Sequence, residues 1–86
     1  MIYTFEEARD MEDILMDFIK ALVADPEEVE IVKTESATTV IYTVDVLPDD
    51  VGKIIGRGGS VINSLKVIFK ALGCKHGKKV LIEIKE

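Results

Sequence analysis

The sequence predicts a small α+β domain with its elements in the order α-β-β-α-α-β. Three observations carry this. Apolar residues recur at three- and four-residue spacing near the start of the chain and again after residue 60. They alternate at every second position around residues 40 and 82, the period of a strand with one face buried. Between the two later helical stretches lies a glycine cluster, Gly56-Arg57-Gly58-Gly59, which no regular element accommodates. With 86 residues the chain has material for one core, so residues 1–86 are read as one domain.

The elements follow in order. Thr4 and Glu7 make a Thr-x-x-Glu pattern that reads as a capping box opening the first helix. Ala8, Met11, Ile14, Leu15, Phe18, Ile19 and Leu22 then share one face, with Glu6, Asp10, Asp13 and Asp17 opposite as a solvated stripe. Asp25-Pro26 stops this helix. Val29–Lys33 reads as a short strand. Thr38–Val46, rich in β-branched residues, is a stronger one with Val40, Tyr42, Val44 and Val46 on one side. Ser36-Ala37 falls in the turn, so the two strands form a hairpin. Leu47-Pro48-Asp49-Asp50 has the proline and acids of a helix start, and this short helix runs to about Ile55. After the glycines a second helix begins at Ser60. It places Val61, Ile62, Leu65, Ile68, Phe69 and Leu72 on one arc, and Gly73 reads as its left-handed cap. Cys74–Lys79 is a basic turn, and Val80–Lys85 the last strand.

The composition, 48% hydrophobic and 31% charged, is that of a globular domain. The single cysteine, Cys74, excludes an intramolecular disulfide, and Cys74 with His76 offers too few ligands for a metal. No apolar run is long enough to span a bilayer, and the start lacks the pattern of a signal peptide, so a soluble cytoplasmic protein without membrane attachment is expected. No nucleophile–base set or acid/base pair is legible, so no enzyme and no cofactor are expected. The net charge of −5 argues at first against nucleic acid. It hides a division: residues 1–50 hold three basic and 14 acidic side chains, a net of −11, whereas residues 51–86 hold eight and two, a net of +6.

The glycine cluster lies in the positive half. Glycines between helices permit left-handed backbone angles and close approach, and the following helix N-terminus presents unpaired N–H groups. With Lys53 and Arg57 beside them, these groups suit a phosphodiester. The nucleotide P-loop pattern fails, because its Gly-Lys would fall on Arg57-Gly58. The dinucleotide pattern fails too, because Val61 stands where its last glycine belongs. What remains is Ile-Ile-Gly-x-x-Gly between two helices, the KH pattern.

On these residues, together with Ala21–Ile31, Asp50–Gly56 and His76–Ile84, the chain resembles the small stand-alone bacterial KH-domain proteins of the KhpA type. The likeness runs from about Met11 to the C-terminus, and residues 1–10 look like a family-atypical extension of the first helix. The resemblance implies the type II (prokaryotic) KH fold, a three-stranded mixed sheet with helices on one face. It also implies single-stranded RNA binding, an RNA chaperone or post-transcriptional role, and a homodimer or a complex with a larger KH-domain protein. The alternative is a protein-interaction subunit that acts mainly through such a partner. By resemblance, the Gly56–Gly59 loop clamps the backbone of about four nucleotides. The N–H groups of Arg57, Gly58 and Gly59 are the donors, and Ser60 opens the helix behind them. Arg57 supplies charge and Lys53 flanks the same strand. Ile54 and Ile55 are both candidates for an apolar floor under the bases, either being equally suited to the core, with Val40 to Val44 as the candidate opposite wall. Lys66, four residues from Lys70, is either an RNA contact or part of a solvated face, and Lys75, Lys78 and Lys79 either solubilise their turn or make outer phosphate contacts. Gly58 departs from the family pattern, which has a side chain there, and its absence implies modest affinity and weak sequence discrimination. Ser60, Ser64, Val67 and Ala71 form a second, small-residue stripe in which Val67 is a candidate dimer contact.

Overall fold

A computed structural model of the chain describes residues 11–85. The Thr4–Glu7 capping box and the extension at residues 1–10 lie outside them. The first helix, α1, spans Met11–Leu22, with Glu12 and Asp13 in its first turn and Lys20 in its last, the arrangement the helix dipole favours. A 3₁₀ turn at Pro26–Glu28 leads into strands β1 (Glu30–Glu35) and β2 (Thr39–Asp45). Helix α2 covers Pro48–Ile55, a second 3₁₀ turn Arg57–Gly59, helix α3 Ser60–Lys75 and strand β3 Lys79–Ile84. The order αββααβ is that expected of the type II KH fold.

The three strands form one mixed sheet in the order β1-β2-β3. β1 and β2 pair antiparallel through their hairpin, with Ile31 opposite Val44. β2 and β3 pair parallel, with Val40 opposite Val80 and Val44 opposite Ile84. A parallel pair needs a crossover, which α2, the glycine turn and α3 provide. The two-residue period sorts the faces. Val40, Tyr42, Val44, Val80 and Ile82 point into the core, where Leu15, Ile19, Ile54, Leu65 and Phe69 meet them from the helices. The opposite face carries the exposed Val32, Leu81 and Glu83, so the helices cover one face only.

Two ties hold the layers in place. Lys78 Nζ lies 2.6 Å from Glu35 Oε2 and 3.0 Å from the Ser36 carbonyl, joining the hairpin to the α3–β3 turn. The hydrogen bond and charge of Lys78 hold the Glu35 carboxyl below its usual pKa. On the core side the Phe18 and Phe69 rings meet edge to face, centroids 6.4 Å apart.

The structure corrects the end of α3. Gly73 does not cap the helix: it lies buried inside it, and α3 runs on to Lys75. The left-handed residue is Gly77 (φ +72°). The Lys78 N–H donates to the Gly73 carbonyl at 2.9 Å and the Gly77 N–H to that of Cys74 at 3.2 Å, the paired bonds of a Schellman cap. Gly73 serves close approach instead. A Cβ there would collide with the Val80 side chain and lie 2.7 Å from the Lys78 carbonyl oxygen. Phe18 and Ile68, both assigned by periodicity to buried arcs, are 43% and 44% exposed because they sit at the margins of those arcs.

Alanine in place of an exposed mid-helix glycine ordinarily stabilises. Gly73→Ala is expected to destabilise by about 1–3 kcal/mol, the range for overpacking a filled site. Urea unfolding checks this, and an unchanged or raised midpoint contradicts the close-approach role.

Candidate nucleic-acid interface

Helix α2 starts at Pro48, which follows an extended Leu47 (ψ 147°), and it places two pairs of residues on two flanks. Asp50 and Ile54 face the core, while Val51 and Ile55 face outward beside α3. Asp50 is 2% exposed. Its carboxylate accepts the Ala24 N–H at 3.2 Å, the Asp25 N–H at 3.3 Å and the Lys53 ammonium at 3.3 Å. Burial pushes its pKa up, but the two backbone donors and Lys53 outweigh this and hold it below the usual aspartate value. The helix-starting acid of the sequence is thus a tether between α2 and the end of α1.

At the C-terminus of α2 the Gly56 N–H closes the last turn on the Gly52 carbonyl at 2.9 Å. Gly56, Gly58 and Gly59 then take φ of +75°, +63° and +80°. Gly56 is doubly required, since a Cβ on it would stand 2.5 Å from Val61 Cγ2 and 2.9 Å from the Val61 nitrogen. At Gly58 a Cβ would meet nothing within 4 Å. The Gly59 N–H donates inside the turn, to the Gly56 carbonyl at 3.1 Å. The N–H groups of Arg57 and Gly58, in the first turn of a helical segment, have no acceptor within it. Ser60 opens α3 with its side chain exposed, and its carbonyl accepts the Ser64 hydroxyl at 2.8 Å. Asn63, not singled out from sequence, brings its amide nitrogen beside Gly59.

Next to this turn is an open groove of ≈ 480 Å³ lined by Val51, Ile55, Ile62, Lys66, Ile82, Glu83 and Ile84. The structure separates the two isoleucines: Ile54 is fully buried, and Ile55, 37% exposed, is the one in the groove. The opposite wall is β3, not Val40 to Val44, whose side chains on the helix-facing side are core. Lys66 stands at the groove edge. Arg57 is exposed in the turn, and neither cation makes an ion pair among the described residues. Lys53, two residues from both Val51 and Ile55, lies on the other flank of α2 against Asp50. The groove therefore gathers Ile55, the 56–60 turn and Lys66, and leaves Ile54 and Lys53 outside it. Among the described residues no group of His, Cys, Asp and Glu could hold a metal ion, and no helix is long and apolar enough to cross a membrane.

Comparison with known proteins agrees in extent with this architecture. The family model described as KhpA/KhpB, KH domain, matches residues 12–84. The chain is 34% identical over 76 residues to the RNA-binding protein KhpA of Listeria monocytogenes, covering 88% of this chain and 100% of that one. It is 38% identical over 76 residues to the RNA-binding protein KhpA of Chlamydia caviae, covering 88% and 97%. It is 32% identical over 74 residues to that of Clostridium acetobutylicum, covering 86% and 99%. No solved structure matches the chain.

Two outcomes follow from the geometry. Alanine at 58 carries the left-handed strain of about 1–2 kcal/mol; at 56, where φ +75° and ψ 176° lie in a region essentially confined to glycine, it carries about 1–3 kcal/mol. Gly56→Ala also adds the Val61 collision, so its urea midpoint falls clearly below that of Gly58→Ala; equal midpoints contradict the requirement for glycine at 56. Asp50 has a folded-state pKa below its unfolded one. Its contribution is therefore full above the ordinary aspartate value and is lost as pH falls through the lower folded value. Asp50→Asn melts at a lower temperature than the wild type near neutrality, and the gap narrows in acid. A gap that stays constant between about pH 7 and about pH 2 contradicts the tether.

Proposed function

The chain belongs to the KhpA/KhpB KH-domain family, and on that footing we propose that it is a non-catalytic, cytoplasmic protein that binds single-stranded RNA through the glycine turn and the adjoining groove. The observation that carries this reading is the junction of two unlike surfaces. The Arg57 and Gly58 N–H groups, without an acceptor in their own turn, and an exposed Arg57 side chain with no ion pair among the described residues adjoin an apolar groove edged by Lys66. A phosphodiester is taken by the Arg57 and Gly58 N–H groups, with the Arg57 side chain adding charge. The N-terminus of α3 at Ser60 stands behind it with its partial positive charge. The bases lie over Val51, Ile55 and Ile62 and against β3, while Lys66 meets the next phosphate. Lys53 acts on the site indirectly, by its pairing with Asp50. Such a grip reads backbone more than base. Gly58 offers no side chain, and no aromatic residue lines the groove to stack a base. Weak sequence preference suits an RNA chaperone or a post-transcriptional role.

A second reading concerns partners, and the outer face of α3 favours it. Val67 is 68% and Ile68 44% exposed, together with the half-exposed Phe18 on α1. Asn63, Ser64, Val67 and Ile68 line a shallow hollow that shares no residue with the groove. This face takes a second copy of the chain, or the KH domain of a larger partner, while the groove stays open to RNA. In the alternative function, this face is the working surface and RNA affinity is absent.

The double substitution Arg57→Asp, Gly58→Asp is expected to abolish RNA binding in a gel-shift titration with the circular-dichroism spectrum unchanged; retained affinity contradicts the turn as the grip. Val67→Asp is expected to reduce the mass measured by sedimentation to that of a monomer without loss of RNA affinity. A wild type that is already monomeric contradicts self-association through this face.

A further inference from the structure

We propose that single-stranded RNA is held beyond the glycine turn, along the seam between α3 and β3 as far as the turn joining them, with Lys70 and Lys79 as a second set of phosphate contacts. The inference rests on the RNA-binding reading and extends its site. Two further hollows continue from the groove. The first, ≈ 280 Å³, is lined by Lys66, Lys70 and the β3 residues Val80 to Glu83. The second, ≈ 350 Å³, is lined by Lys70, Cys74, Gly77, Lys78 and Lys79. Lys66 borders both the groove and the first hollow, and Lys70 borders both hollows, so the three follow one another in a line. The cause is helical spacing. Lys66, Lys70 and Cys74 recur every four residues and share one flank of α3, the flank beside β3. From Ile62 in the groove to Cys74 in the last hollow the seam follows α3 for roughly 18 Å at about 1.5 Å per residue.

Lys33, Lys53, Lys78 and Lys85 each sit 2.6–3.6 Å from a carboxylate. Lys66, Lys70 and Lys79 are exposed and make no ion pair among the described residues. Lys75 is exposed and unpaired among the described residues too but borders none of the three hollows, whereas Lys66, Lys70 and Lys79 stand along the one seam, where Glu83 is the bordering carboxylate. Lys78 borders the second hollow, but Glu35 and the Ser36 carbonyl already hold its ammonium, so it stands apart from the proposed contacts. Two phosphates beyond the turn match Lys70 and Lys79, and each counterion released there steepens the salt dependence.

The test uses the full chain with oligouridylates of about four and about eight nucleotides, titrated by fluorescence anisotropy at several salt concentrations. The expected result is that the longer strand binds at least about tenfold tighter, with a slope of log affinity against log salt steeper by about 1.4, some 0.7 for each added phosphate. Lys70→Gln with Lys79→Gln removes that difference and leaves the short strand unaffected. Equal affinity and equal slope for the two lengths overturn the extended site, as does a double variant that still binds the longer strand like the wild type. If neither strand binds at low salt, the RNA-binding reading falls and the extension falls with it.

Discussion

β2 and β3 are parallel neighbours, and a parallel pair cannot be closed by a hairpin. Everything between Val46 and Lys78 is therefore crossover. It has to travel back along a sheet only three strands wide while covering its apolar face. Two helices do this, and the short turn between them reverses the chain within a few residues. Only glycine takes the angles required at 56, 58 and 59 without strain, and at 56 Val61 leaves no room for a side chain in any case. A turn built this way is exposed at Arg57 and Gly58 and anchored by a helix at each end. The ends of the crossover are fixed as firmly. Asp50 ties the start of α2 to the chain leaving α1, and the missing side chain of Gly73 lets the end of α3 close onto β3. The candidate site is thus a consequence of the topology: the turn that the crossover requires is also exposed.

Electrostatics act locally on this frame. A net charge of −5 opposes the approach of a polyanion at long range. At physiological salt, however, charges are screened beyond about 8 Å, so the acidic N-terminal half does not cancel a cation at the groove. What counts is which cations are already satisfied. Lys53 is paired within α2 to Asp50, and Lys78 ties the hairpin to the α3–β3 turn. Arg57 and Lys66 have none among the described residues, and they stand where a phosphate would pass the turn. Because free and paired lysines are identical in sequence, charge counting found the basic half but could not rank its members.

Much of the fold was legible because periodicity is a direct record of burial. The alternation in β2 and β3, the helical arcs of α1 and α3 and the Pro48 start of α2 all reappear in the structure. The glycine turn was legible for a different reason, since three glycines in four residues have no other economical use. What stayed hidden needed the third dimension. Ile54 and Ile55 are chemically identical neighbours, and only the roll of α2 sends one inward and the other to the groove. Gly73 and Gly77 both suit a helix end, and the choice between them was made by the closeness of Val80 and Lys78, residues of the strand that follows. The groove wall was misplaced on β2 for a similar reason: β2 is the central strand and its alternating side chains are core, whereas β3 is the edge and flanks the groove. Asp50 looked like an ordinary first-turn acid because its partners lie 25 and 26 residues away.

The glycine turn and the exposed face of α3 are the two surfaces at which RNA contact can be told apart residue by residue. Following the backbone amide resonances of the labelled protein during titration with a short single-stranded RNA decides between them most directly. The account predicts the largest shifts at Arg57 and Gly58, with Ile55, Ile62 and Lys66 next. Shifts confined to Val67, Ile68 and Phe18, with the turn unmoved at saturating RNA, would contradict it.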